Sequence, residues 1–182
     1  WNGKHLTENT DYTLSWNKTG FTDADTYTVT VTGKGNFTGT KNAVFSINPA
    51  DIKGAVVTID RDTFDYDGQP HKPTAVVTFN GAVLTEGVDY ELYYISKDQI
   101  IKWDNDGPVR FFGNTSSDCI NAGQYYVCAR GKGNFAANSR FAYAPYTIKQ
   151  AKNNWVKKPW ITDWTYGKSA NVTVGEAKFG TV

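Results

Sequence analysis

Asp11-Tyr12-Thr13-Leu14-Ser15-Trp16 is the stretch that decides the fold. Tyr12, Leu14 and Trp16 point one way and Thr13 and Ser15 the other, the period-two signature of a half-buried strand. The same register returns further on, where Tyr90, Leu92 and Tyr94 take the inner side. A slip of one residue would turn each set to solvent, so the agreement fixes the register in both places. The residues before each strand repeat as well: Asn2-Gly3-Lys4-His5-Leu6-Thr7-Glu8-Asn9-Thr10-Asp11-Tyr12 returns as Asn80-Gly81-Ala82-Val83-Leu84-Thr85-Glu86-Gly87-Val88-Asp89-Tyr90.

The repetition continues downstream. Tyr27, Val29 and Val31 match Tyr125, Val127 and Ala129, and Gly33-Lys34-Gly35-Asn36-Phe37 matches Gly131-Lys132-Gly133-Asn134-Phe135. Ala43-Val44-Phe45-Ser46-Ile47 matches Ala144-Pro145-Tyr146-Thr147-Ile148. The offsets grow from 78 residues (Asn2 to Asn80) to 98 (Gly33 to Gly131) and 101 (Ala43 to Ala144), so the second copy carries an insert in its middle. Self-similarity on this scale predicts an array of like modules, which shifts expectation toward spacing and presentation rather than catalysis.

Aromatic residues make up 15% of the 182 and Met is absent; rings set among Thr and Val favour strands. No segment has capped helical periodicity. The expected fold class is all-β, as tandem immunoglobulin-like β-sandwich modules, with small β-grasp-like modules as the alternative. We expect three parts: 1–49 the C-terminal part of a repeat module, 50–150 a complete module with an inserted hairpin at about 96–120, and 151–182 the N-terminal part of a further module. In the complete module, strands are expected at Val56–Ile59, Thr74–Phe79, Tyr90–Ile95, Tyr125–Arg130 and Phe141–Ile148, with a short extended piece from Phe64 to Gly68. Asn80-Gly81 is a hairpin signal. Pro145, which cannot donate to a ladder, belongs at an edge or bulge.

The Gly-Lys-Gly-Asn loops lie between strands. A phosphate-cradling loop needs a following helix, so they read as fixed strand connections. Asp23-Ala24-Asp25-Thr26-Tyr27 and Asn121-Ala122-Gly123-Gln124-Tyr125 resemble the corner leading into strand F of immunoglobulin-like sandwiches, where a Tyr hydroxyl bonds back to the nearby backbone. Val127 stands where the immunoglobulin cysteine would fall, which removes the inter-sheet disulfide of that family.

Taken together, Tyr66 to Gly68, Leu84 to Tyr90, Asn121 to Tyr125, Gly131 to Phe135 and Tyr146 to Ile148 resemble the repeats of bacterial cell-surface proteins of gut Firmicutes and Actinobacteria. Trp160-Ile161-Thr162-Asp163-Trp164-Thr165-Tyr166-Gly167 is similar to the opening of a sister repeat in those proteins. The resemblance implies a secreted multidomain stalk or adhesin at the bacterial cell surface, with no active site in the repeat. It does not extend to the insert from Ser96 to Ile120. The opening at Trp1 reads as a processed or excised piece.

Cys119 ends the insert, and Cys128 falls on the outward side if Tyr125, Val127 and Ala129 face in. In an extracellular chain the two can close a disulfide that staples the insert to the sheet. Two free thiols are the alternative, and the disulfide is the expectation. Zinc is disfavoured, since His5 and His71 are distant and no Cys-x-x-Cys occurs. The insert places Ile100-Ile101-Lys102-Trp103 and Val109-Arg110-Phe111-Phe112 around an Asp/Asn/Gly turn, an extra hairpin. Trp103, Phe111 and Phe112 could stack on a host glycan or protein; packing on the sheet or on a neighbouring module is the plainer reading.

Asp60, Asp62, Asp65, Asp67, Asp104 and Asp106 are dense enough to raise calcium, but they miss the spacing of a calcium loop and suit ordinary turns. Asn17, Asn36, Asn114 and Asn171 open glycosylation triplets of the kind that Thr-rich strands produce by chance. A net charge of +1 without a basic stripe argues against nucleic acid. Nothing is long and apolar enough to span a membrane. No nucleophile, base and orienting partner assemble in one motif, and no cofactor is implied. The expected function is a non-catalytic spacer or head-to-tail fibre module; the alternative is an adhesin acting through the insert.

Residues 1–49 hold only the later strands of a module, with Tyr12, Leu14, Trp16, Tyr27, Val29, Val31, Phe45 and Ile47 inward. Leaving such side chains wet forfeits roughly 1.5–3 kcal/mol each. Two readings stand side by side: 153–182 of a neighbouring copy complete them, Trp164 to Gly167 standing in for Phe64 to Gly68, or the chain is a piece cut from a longer covalent array.

Overall fold

The computed structural model describes residues 2–105, 107–111, 116–138, 140–157, 159–170 and 172–179, with the side chains of 109–111, 153–156 and 176–179 left out. Its regular structure is all-β; the only helical pieces among the described residues are single 3-10 turns. A β-grasp needs a helix across its sheet, so that alternative gains no support.

Three strands open the chain: β1 (Tyr12–Trp16), β2 (Asp25–Gly33) and β3 (Thr40–Ile47), antiparallel in that order. Trp16 pairs with Val29 and Tyr27 with Phe45, the register that the alternation requires. One larger group follows. β4 (Val56–Ile59), β6 (Ala75–Phe79) and β7 (Ala82–Val83) form one sheet. Asn80 and Gly81 turn between β6 and β7 with φ of 49° and 83°, the positive pair of a type I′ turn.

The second sheet has the order β5-β12-β11-β8, with β5 (Thr63–Asp65), β8 (Tyr90–Ser96), β11 (Gly123–Gly131) and β12 (Phe141–Lys149). β5 joins parallel and reaches only Thr147 to Lys149, leaving Pro145 on the open edge of β12. The insert forms the hairpin β9 (Ile100–Asp104) and β10 (Gly107–Phe111). Beyond it, β13 (Asn153–Lys157) pairs with β16 (Glu176–Phe179), and β14 (Trp160–Ile161) with β15 (Val172–Thr173).

The second sheet is covered on both sides. On one face, Tyr90, Ala129 and Ala142 pack with Ile52, Val77 and Leu84, while Tyr125, Val127, Tyr146 and Ile148 pack with Val57, Ile59, Phe64 and Cys119. These contacts bring the β4-β6-β7 sheet face to face with β5-β12-β11-β8, a packing compatible with a β-sandwich. On the opposite face, Ile95, Tyr126, Cys128 and Phe141 pack with Tyr93, Ile100 and Tyr143 beneath the insert hairpin. Gly107, at φ 119°, brings the hairpin so close that a Cβ there would collide with the Tyr143 ring.

The loops that lead into β1 and β8 share their bonding, as do those that follow β2 and β11. Asp11 Oδ2 accepts from Thr7 N–H at 2.9 Å, and Asp89 Oδ2 from Thr85 N–H at 2.8 Å. Lys34 N–H donates to Asp11 O and Lys132 N–H to Asp89 O, both at 2.8 Å. Gly33 and Gly131 are needed for close approach, since a Cβ on either would run into the backbone of Phe37 or Phe135.

Candidate interaction surfaces

The tyrosine corners form as the residues predict. Tyr27 Oη donates to Asp23 O at 2.9 Å and Tyr125 Oη to Asn121 O at 2.7 Å, each four residues upstream. Both rings are buried, and each hydroxyl bond satisfies a polar atom that burial would otherwise leave without water.

The expected disulfide does not form. Cys119 and Cys128 are both buried free thiols. The error lay in the face assigned to Cys128. It does point away from Val127, but that side of the sheet is a second core, and Cys128 is 0% exposed there. Cys119 packs with Tyr125, Val127 and Tyr146 on the opposite face, so the sheet stands between the sulfurs. Burial pushes the Cys128 thiol up to about 12 and raises Cys119 as well, so both stay neutral and unreactive.

Trp103 lies on the sheet rather than standing clear of it. Its ring sits 5.0 Å from Tyr126 and 5.4 Å from Tyr143, centroid to centroid, and is still 46% exposed. Phe112 and the side chain of Phe111 lie outside the described residues.

The first sheet differs. Trp16 and Phe45 are 42% and 43% exposed, although they occupy the face that is inward by pattern. Around them, Phe21 lies 4.8 Å from Trp16 and 5.2 Å from Tyr27, and Phe45 stacks on Tyr27 at 5.1 Å. The four rings therefore shield one another, with Tyr27 the most deeply buried.

A third surface was not anticipated. Asn134, in the second Gly-Lys-Gly-Asn-Phe loop, bonds three ways across the join between the first sheet and the second group. Its Oδ1 accepts from Ala24 N–H at 2.7 Å, its Nδ2 donates to Asp23 Oδ1 at 3.0 Å, and its carbonyl accepts from Ala50 N–H at 2.7 Å. Asn134 thus plugs into the corner ahead of Tyr27 and into the connection after β3. A strand connection alone needs no Asn at that position, and the Asn common to both loops was the available signal.

Three of the aspartates accept from backbone N–H groups, Asp51 and Asp67 within a turn and Asp60 from a residue 14 positions away. Asp60 Oδ1 accepts from Thr74 N–H, Asp67 Oδ1 from Gln69 N–H and Asp51 Oδ1 from Lys53 N–H. The Gln69 N–H and then His71, whose Nε2 is 2.9 Å from Asp67 Oδ1, hold the Asp67 carboxyl below its usual value. Among the described residues, no three His, Cys, Asp or Glu side chains gather closely enough to hold a metal. No helix among them is long and apolar enough to cross a membrane. No family model, curated protein or solved structure matches the chain.

Proposed function

We propose that the chain is a non-catalytic structural stretch of a modular, extracellular bacterial surface protein, built from immunoglobulin-like repeats that extend or present an adhesive region. The observation that carries this reading is the recurrence of one hydrogen-bonded frame. The Thr7–Asp11 loop, the Asp23–Tyr27 corner and the Lys34–Asp11 tie each have a counterpart, at Thr85–Asp89, Asn121–Tyr125 and Lys132–Asp89. Building one supersecondary unit twice in a chain suits a protein that gains length by adding units. Antibodies raised to the whole chain should label intact cells that make the protein, and the purified protein should scatter X-rays as an elongated particle. Labelling that appears only after lysis would sink the surface reading.

The half-exposed Trp103 ring supports a second reading, recognition of a host glycan or protein by the insert. Removing the whole hairpin would uncover Ile95, Tyr126 and Cys128, so deletion cannot separate binding from folding. A glycan array probed with the intact chain, and again with Trp103→Gln, tests it. Binding that the substitution leaves unchanged would exclude the insert as the binding surface.

A further inference from the structure

Ala24 and Ala50, which receive Asn134, correspond to Ala122 and Ala151 by the offsets of 98 and 101 residues, and Asp23 corresponds to Asn121. At the second set, Ala122 and Ala151 line, with Tyr66 and Gln150, an open cavity of about 460 Å³. Ala122 is exposed where Ala24 is half-buried beside Asn134. The receiving site is thus built twice, with Asn134 inserted in the first and a cavity at the second.

The plug is also built twice. In the loop Gly33-Lys34-Gly35-Asn36-Phe37, Lys34 N–H donates to Asp11 O and Phe37 N–H to Lys34 O; the Asn134 loop bonds in the same way through Lys132 and Phe135. Gly35 and Gly133 both take positive φ, at 65° and 50°. Asn36 is therefore presented on a loop tied down by the same two bonds as that of Asn134, and it is exposed.

We propose that the cavity at Ala122 and Ala151 is a socket for the Asn36 loop of a second copy of this chain. The inference rests on reading the chain as an array of like units, and adds which surfaces join one copy of the chain to another. By analogy with the internal join, Asn36 Oδ1 accepts from Ala122 N–H, its Nδ2 donates to the Asn121 side-chain oxygen, and its carbonyl accepts from Ala151 N–H. Asn121 in place of Asp23 keeps the acceptor and drops the charge. Tyr66 supplies the apolar wall. Plug and socket are different surfaces of one molecule, so the contact is heterologous and extends into open strings rather than closing as a two-fold dimer.

Sedimentation equilibrium of the whole chain, from micromolar to millimolar, tests the proposal. The wild type should show an average mass that rises steadily with concentration. Asn36→Ala removes the plug and Ala122→Trp fills the socket; each should weaken association about tenfold or more, as expected for two lost side-chain hydrogen bonds. Mixed together, the two variants should form one-to-one dimers that grow no further, because one keeps its socket and the other its plug. Gln150→Arg, at another exposed rim position, serves if Ala122→Trp alters the circular dichroism spectrum. A wild type that stays monomeric throughout overturns the proposal. So does association that survives both substitutions yet vanishes in Phe45→Ser, which would assign it to the bare face of the first sheet. Neither result bears on cell-surface labelling, so the wider reading stands or falls separately.

Discussion

The β1-β2-β3 sheet and the β8-β11-β12 part of the second sheet share ladders, loop bonds and tyrosine corners, yet only the second is packed on both faces. Phe45 is 43% exposed, while Tyr146, its counterpart at the 101-residue offset, is 1% exposed. The contrast separates two things that usually arrive together. The hydrogen-bonded frame follows from local residues: the Asp that closes the loop, the Tyr that closes the corner, and the glycines that allow close approach. Packing follows from what lies over the face, and the frame does not need it.

The widest gap between the two sheets should appear on truncating those paired rings. Tyr146→Ala empties a filled core and should cost about 3–5 kcal/mol, the usual range for a buried ring. Phe45→Ala should cost only about 1–2 kcal/mol, because the ring is already half in water and what is lost is its stack on Tyr27 and its edge contacts with Trp16 and Phe21. Urea unfolding of the two variants checks this, and equal losses would mean that the first face is covered in solution. Hydrogen exchange should agree, with β1–β3 amides exchanging faster than those of β8, β11 and β12 despite matching ladders.

Trp103→Ala probes the covering that the first sheet lacks. Removing a half-exposed ring from Tyr126 and Tyr143 should cost about 1–3 kcal/mol. It should also raise the labelling rate of Cys128 by a thiol reagent, while leaving that of Cys119 unchanged, since Cys119 lies on the other face. Faster labelling at both sites would mean global loosening instead.

The tyrosine corners should erase the difference between the sheets. Tyr27→Phe and Tyr125→Phe each remove one hydroxyl bond of nearly equal length, to the carbonyl of an exposed residue. Each should cost about 0.5–1.5 kcal/mol. A loss at Tyr125 several times that at Tyr27, measured by thermal unfolding, would show that the corner depends on the core after all.

Strand positions and registers were legible because alternation has one solution per strand. The second core was legible too, in a signal read incompletely. Tyr125-Tyr126-Val127-Cys128-Ala129 is continuously apolar, as strands covered on both faces are, whereas Tyr27-Thr28-Val29-Thr30-Val31 alternates with Thr. Reading only every second residue of the first run placed Cys128 in solvent and suggested a disulfide. Tyr93, Ile95, Phe141 and Tyr143 carry the same message on neighbouring strands. The Asn134 join could not be read in this way, since it links positions 110 residues apart by side-chain reach, which no local pattern encodes.

The smallest expected effect is electrostatic and again divides the sheets. Lys132 Nζ lies 2.9 Å from Glu91 Oε1, while its counterpart Lys34 donates to the backbone carbonyl of Asn9, because Thr13 stands where Glu91 would be. The Lys132 hydrogen bond, then one from the Tyr93 hydroxyl, holds the Glu91 carboxyl below its ordinary 4.5. A carboxyl depressed in the folded state stabilises the fold above its unfolded value, and the contribution is lost as pH falls through the folded one. The stabilisation by Glu91 is therefore complete above about pH 4.5 and fades below it. Both partners are well exposed, so water screens the pair and its contribution is slight. Asp25, depressed by Lys18, and Asp67 add acid-side terms of their own, so the carboxyl itself must be followed. A carbon-13 titration should place Glu91 below 4.5 and move it up in Lys132→Ala, while Lys34→Ala leaves it unmoved. An ordinary Glu91 midpoint in the wild type would show that Lys132, like Lys34, spends its charge elsewhere.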